Sequence, residues 1–147
     1  MPKFSKASLS KLESCHQDIQ SVMKESIKHM DFVVLSGYRT PNEQFELYKK
    51  GRKFEAGKWV KVGTTVTNID GKTKLSNHNY YPSQAIDIAP YPIDWNDTDR
   101  FEALAVVVKK AAKDVGVEIE WGGDWVTPID MPHFQLKDKK WVHFLQC

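Results

Sequence analysis

Apolar residues near the start of the chain fall at Leu9, Leu12, Cys15, Ile19, Val22, Met23, Ile27 and Met30, three or four positions apart. That spacing puts them on one stripe of a helix, so a single N-terminal helix is expected within residues 1–30. Ser10 followed by Glu13 offers a capping box near its start. Phe32-Val33-Val34-Leu35-Ser36 then breaks the rhythm with the short apolar run of a buried strand. Thr40-Pro41-Asn42-Glu43 signposts the next helix, with Thr at the N-cap, Pro at the first helical position and Glu where it completes a capping box. That helix should run to about Lys50 and stop at Gly51. Arg39 is thereby held at a strand-to-helix junction, where a side chain can be aimed into a cleft.

Residues 52–77 follow neither periodicity for long and read as an irregular flap or lobe. Trp59-Val60-Lys61-Val62 and Thr64-Thr65-Val66-Thr67 suit short strands there, and Asp70-Gly71 suits a hairpin-type turn. Ala85-Ile86-Asp87-Ile88-Ala89 alternates, with the isoleucines on one face and Asp87 on the other. Asn96, Asp97 and Thr98 compete to cap a long helix through Phe101, Leu104, Val107, Val108, Ala111 and Val115, closed by Gly116. Val117–Trp121 and His133–Leu136 are further strands, and Trp141–Leu145 is a candidate for the last. Helices mixed with antiparallel strands make the expected class α+β: one domain over 1–147, a small sheet with helices packed on one side, and a C-terminal extension over 137–147.

Composition narrows the function classes. The 147 residues carry a net charge of +2, too little for the concentrated basic face of a nucleic-acid binder. No stretch approaches the ~18 apolar residues of a membrane span. Met1-Pro2-Lys3-Phe4-Ser5-Lys6 lacks the apolar run of a signal peptide. Cys15 and Cys147 have neither disulfide-framework nor zinc-finger spacing.

His78, Asp87 and His133 are the residues that carry chemistry. Two imidazoles and a carboxylate suit zinc, and three protein ligands leave a fourth position for water. If the strands bearing Asp87 and His133 are neighbours, alternation turns both side chains to the face opposite the apolar pairs, and His78 arrives from the preceding loop. Asp130 lies three residues before His133, where it can handle the water's proton. His143, in Trp141-Val142-His143, is a rival ligand with no acid beside it; His16 and His29 read as surface residues of the first helix. The plain alternatives are a turn-forming Asp130, an Arg39 paired with a carboxylate such as Asp124, Trp121 and Trp125 as core and cleft walls, and a solvated turn over Lys137–Lys140.

Taken in order, Ser36-Gly37-Tyr38-Arg39-Thr40 with Gln44, Ser76-Asn77-His78, Ala85-Ile86-Asp87, Trp121-Gly122 and Asp130-Met131-Pro132-His133 resemble the zinc D-alanyl-D-alanine carboxypeptidase (VanY-like) superfamily. The nearest branch is that of the phage endolysins that cut the L-alanyl-D-glutamate bond. The resemblance covers about residues 31–136 and implies a hedgehog/D-Ala-D-Ala-peptidase-like fold. It implies Zn2+ on His78, Asp87 and His133, Asp130 as general base, and Arg39 polarising the scissile carbonyl or stabilising its oxyanion. Ser76, Gln44 and Trp121 are the expected substrate contacts. Two features depart from the pattern. Eight residues separate His78 from Asp87, where relatives commonly have six and often a glycine, and Asp130 stands where many carry Glu.

The implied function is zinc-dependent hydrolysis of the peptide stem of peptidoglycan, by a monomer stored in the host bacterial cytoplasm and released to the periplasm and cell wall by a holin. A D,D-carboxypeptidase or dipeptidase is the alternative enzyme. A zinc-bearing but non-catalytic wall-binding domain is the alternative of another class, although such a module would need neither Asp130 nor Arg39.

Overall fold

Alternating apolar positions dictate which face of each strand is dry, and the helices collect on that face. The computed structural model describes residues 2–126 and 128–138. In chain order the elements are α1 (Lys6–Glu13), α2 (Gln17–Ser26), β1 (Phe32–Ser36), α3 (Pro41–Lys49), β2 (Arg52–Glu55), β3 (Lys58–Lys61), β4 (Ala85–Pro90), α4 (Thr98–Val115), β5 (Ile119–Trp121) and β6 (His133–Leu136). The expected α+β class holds. The main sheet has the order β1-β4-β6-β5, with every neighbouring pair antiparallel.

Phe32 and Val34 of β1, Ile86 and Ile88 of β4, Phe134 and Leu136 of β6 and Trp121 of β5 share one buried cluster. Leu12 from α1, Ile19, Val22 and Met23 from α2, and Leu104, Ala105 and Val108 from α4 close over them. Three helices thus cover one face of the sheet, while α3 follows the end of β1. The opposite face is left for Asp87 and His133.

The single N-terminal helix is corrected to two. Ser5 caps α1 by accepting from the Ser8 amide, rather than Ser10 and Glu13 forming the start. The helix then breaks because Cys15 forms an isolated parallel bridge with Ser83. The Ser83 amide donates to the Ser14 carbonyl at 2.9 Å, and the His16 amide donates to the Ser83 carbonyl at 2.8 Å. Backbone groups committed across the chain cannot also serve an i to i−4 ladder. His16 restarts the helix, its Nδ1 accepting from the Asp18 amide at 3.0 Å. This junction anchors the loop between His78 and Asp87, so the long connection is held at its middle.

Two expectations for the lobe also change. β3 pairs with β2 in a hairpin, whereas Thr64–Thr67 forms no strand. The polar groups of Thr67 are engaged outside any ladder: its carbonyl accepts from Arg52 Nη1 at 2.8 Å and its Oγ1 accepts from the Ile69 amide at 3.1 Å. Asp70-Gly71 is a turn inside the loop, not a hairpin end, with Asp70 Oδ1 accepting from the amides of Lys72, Thr73 and Lys74. The Trp141–Leu145 strand, His143, Cys147 and most of the 137–147 extension lie outside the described residues.

Burial pushes the Cys15 thiol up to about 12, against a smaller opposing effect of the Ser14 hydrogen bond. It should therefore stay a protonated, inert thiol at neutral pH. Alkylation with iodoacetamide followed by peptide mapping should leave Cys15 unmodified in the folded protein and label it fully in denaturant; rapid native labelling would contradict this packing.

Candidate metal centre

Asp87 and His133 are register partners on adjacent strands, so their side chains leave the sheet together. His78 arrives from the short 3-10 turn Asn77–Asn79, capped by Ser76, whose hydroxyl accepts from the His78 amide at 3.2 Å. The three residues expected to gather do so, with one donor atom from each lying within 4.8 Å of the others. His78 Nε2 stands 3.2 Å from Asp87 Oδ2, and His133 Nδ1 stands 3.2 Å from Asp87 Oδ1.

Hydrogen bonding decides what these atoms can do. The Nδ1 of His78 is 2.8 Å from the Gly37 carbonyl, an acceptor only, so Nδ1 carries the proton and donates it. Nε2 is then a bare lone pair. Among the described residues it is buried without a hydrogen-bond partner while facing a carboxylate oxygen. Two facing lone pairs in a dry site need something positive between them. A cation bound by two imidazole nitrogens and a carboxylate meets that need, so the residues fit a metal of the kind the sequence implies.

The electrostatics agree. Burial would raise the Asp87 carboxyl, yet His133 and His78 together hold it well below the ordinary carboxylate range. Burial would lower His133, but the hydrogen bond and charge of Asp87 outweigh it and hold the imidazole above its usual value. Asp87 is an anion that attracts either protons or a metal to its two neighbours. Because the ligands must shed protons to coordinate, metal and protons compete for this site.

Asp130 lies in the loop before β6, its Oδ2 3.9 Å from His133 Nδ1. Gly122 holds that loop close: its carbonyl accepts from the Asp130 amide at 2.9 Å, and a Cβ at Gly122 would strike the Asp130 carbonyl. Burial first, and then the charge of Asp87, raise the Asp130 carboxyl above its ordinary value.

Arg39 takes the junction position expected of it. Its Nη2 lies 3.6 Å from Asp87 Oδ2, and its Nη1 donates to Gln44 Oε1 at 2.8 Å. The alternative pairing with Asp124 does not form, because Asp124 pairs with Lys109. Gln44 is buried beneath Arg39, its Nε2 donating to the Ile69 carbonyl at 2.9 Å, so its amide ties the lobe to the guanidinium. A cavity of about 590 Å³ opens over this group, bounded by Arg39, His78, Asp87, Asp130, His133 and, from the lobe, residues such as Thr65 and Asn68.

Trp121, expected as a substrate contact, faces elsewhere. It pairs in register with Phe134 and stacks on it, and its indole N–H donates to the Met131 carbonyl at 2.7 Å. Alternation explains the placement: Phe134 faces the core because His133 faces the cleft. Trp125 takes the wall position, 5.1 Å from the His133 ring.

Several participants carried no isolated sequence signal. Ser36 donates to Asp87 Oδ2 at 2.8 Å. A register shift between Val34 and Ser36 brings it there, since unbroken alternation would leave it on the core face with Phe32 and Val34. Asn79 locks the turn by donating to the Arg39 carbonyl at 2.8 Å. Gln135 was findable by alternation alone, being two residues from His133 on one strand.

Comparison with known proteins gives a consistent group. A family model described as phage L-alanyl-D-glutamate peptidase matches residues 1–140. The L-alanyl-D-glutamate peptidase of Escherichia phage T5 is 28% identical over 140 residues, covering 92% of this chain and 89% of that protein. Peptidoglycan L-alanyl-D-glutamate endopeptidase CwlK of Bacillus subtilis (strain 168) is 36% identical over 119 residues, or 74% of this chain and 62% of that protein. Among solved structures, the L-Ala D-Glu endopeptidase ChiX of Serratia marcescens aligns with a TM-score of 0.69 at 27% identity, over 92% of this chain and 90% of its own.

Gly37 offers a direct check on the centre. A Cβ there would strike the Lys11 carbonyl and Ser14 Oγ, and the displaced carbonyl would release His78. Gly37→Ala should lose about 1–3 kcal/mol of stability in urea unfolding and bind metal more weakly in a titration; wild-type values for both would contradict the close approach.

Proposed function

The chain belongs to the phage L-alanyl-D-glutamate peptidase family, and on that premise we propose that its cleft hydrolyses the L-alanyl-D-glutamate bond of the peptidoglycan stem as a zinc-dependent endopeptidase. The observation that carries the reading is the convergence of His78 Nε2, His133 Nδ1 and Asp87 beside Asp130 and Arg39. The phage T5 and Bacillus relatives, both named for this bond, support the substrate. A phage relative aligned over most of both chains supports a role as an endolysin. In that role the chain waits in the host cytoplasm and reaches the wall after membrane permeabilisation by a holin, acting as a monomer. No helix among the described residues is long and apolar enough to cross a membrane.

His78, Asp87 and His133 would hold a zinc ion, which would supply the positive charge that acidifies water and polarises a carbonyl. Asp130 takes the proton of the attacking water and passes it to the leaving amine. Its raised affinity for a proton suits both halves of that task, since a very weak base would not accept it. Arg39 places its guanidinium beside the developing oxyanion, with its direction fixed by Gln44 and Ser36, at 2.8 and 3.3 Å. Ser76 and Gln44 act by holding His78 and Arg39, and Trp125 is the better candidate for a substrate-facing aromatic wall. The eight-residue connection from His78 to Asp87 leaves this machinery intact because Ser83 pins it to the junction of α1 and α2.

Two variants separate the roles. Asp130→Asn should keep stoichiometric zinc, measured by atomic emission, and lose about 10²–10⁴-fold in turnover of purified peptidoglycan; full activity would remove Asp130 from the mechanism. His133→Ala should lose the metal as well as the activity, and full zinc content would remove it from the ligand set. Mass spectrometry of the products should find new amino-terminal D-glutamate, whereas release of free D-alanine would select the carboxypeptidase alternative.

A further inference from the structure

His133 offers Nδ1 to the centre, whereas His78 offers Nε2. The two imidazoles therefore need opposite tautomers, and each needs its own device to hold the proton away from the metal. For His78 the Gly37 carbonyl is that device. For His133 the nearest partner is ambiguous by itself. Its Nε2 lies 2.8 Å from Gln135 Oε1, and a carboxamide can turn either its oxygen or its NH2 toward a ring nitrogen. With the NH2 turned in, Nε2 would become an acceptor and the proton would move to Nδ1, closing the ligand position.

We infer that Glu120 resolves this choice, acting through Gln135 as a positioning residue that keeps the His133 proton on Nε2 and its Nδ1 lone pair free for the metal. The inference rests on the metal reading above. Glu120 and Gln135 are register partners on β5 and β6. Gln135 Nε2 donates to Glu120 Oε2 at 3.2 Å, and the Trp125 indole N–H donates to the same oxygen at 3.3 Å. An ionised carboxylate only accepts. Turning the Gln135 amide over would set its carbonyl oxygen against Glu120 and lose a charge-assisted bond. The negative charge thus fixes the NH2 outward, which fixes the carbonyl oxygen toward Nε2. Trp125 joins the same device: it holds Glu120 from one end while its ring lies against His133. Groups that orient metal-bound histidines in this way influence metal affinity strongly even though they never touch the ion.

Glu120→Gln is the informative variant, because it preserves size while giving position 120 an NH2 that can face Gln135 in either sense. The first readout is long-range 15N–1H correlation on the zinc-loaded protein, because without a metal the Asp87 carboxylate, 3.2 Å from His133 Nδ1, itself attracts a proton to that nitrogen. Wild type should show a slowly exchanging proton on His133 Nε2 and one on His78 Nδ1; Glu120→Gln should speed exchange of the His133 proton and leave His78 unchanged. The second readout is zinc affinity by competition with a chromophoric chelator, expected to weaken about 10–100-fold. Gln135→Leu, which removes the acceptor directly, should give the same loss and serves if Glu120→Gln does not fold by circular dichroism. In the loaded wild type, a His133 proton on Nδ1 with Nε2 turned to the metal, or zinc affinities in the variants within about twofold of wild type, well below that range, would overturn the inference. Neither result would remove His133 from the ligand set, which happens instead if His133→Ala keeps its full zinc content.

Discussion

Asp87 is a carboxylate placed between two core isoleucines on a strand of a small sheet, and the remainder of the site is arranged around that charge. Left alone, a charge so enclosed would be too costly to keep ionised. Instead Ser36 donates to it, Arg39 stands 3.6 Å away, and both histidines face its oxygens at 3.2 Å. The isoleucines on the other side of the strand are fully buried under α1, α2 and α4. One strand therefore carries the centre of the core and the centre of the chemistry on opposite faces. A mutation that shifts its register would exchange the two.

What makes this more than a solvated acid with two basic neighbours is the removal of protons from the shared space. The Gly37 carbonyl draws one histidine proton outward, and Gln135, backed by Glu120 and Trp125, draws the other. The result is a set of inward lone pairs that only a cation, or a competing proton on His133, can satisfy. Polar groups of the fold are thus used twice: they satisfy buried donors, and they choose which ring atoms are left as ligands. Gly37 shows how closely packing and chemistry are joined, since the absence of its side chain allows the approach to α1 that carries its carbonyl to His78.

Much of the fold was legible because the strands alternate and the α3 and α4 boundaries are capped. Ile86-Asp87-Ile88 and His133-Phe134-Gln135-Leu136 predict which faces are dry, and the β4 to β6 register bears that out. The broken N-terminal helix was not legible. Its apolar stripe continues across Ser14-Cys15-His16, and the break depends on Ser83, far along the chain. Thr64–Thr67 misled for a similar reason: β-branched residues suit a strand, but Gln44 and Arg52 claim the polar groups of Thr67 first. Ordered motifs picked out the three residues that the fold gathers and the Asp130 beside them. The groups around those residues were hidden, because Gln135 and Glu120 become neighbours only once β5 and β6 pair. Trp121 was drawn to the site by its motif and to the core by its register, and register prevailed.

The proposed chemistry requires a single ion bound through unlike nitrogens of two histidines. Anomalous diffraction at the zinc absorption edge from crystals of the loaded protein tests this most directly. One peak is predicted, at about 2.0–2.2 Å from His78 Nε2, His133 Nδ1 and an oxygen of Asp87. No peak there, or zinc bound through His133 Nε2 with its ring turned from Gln135, would contradict it.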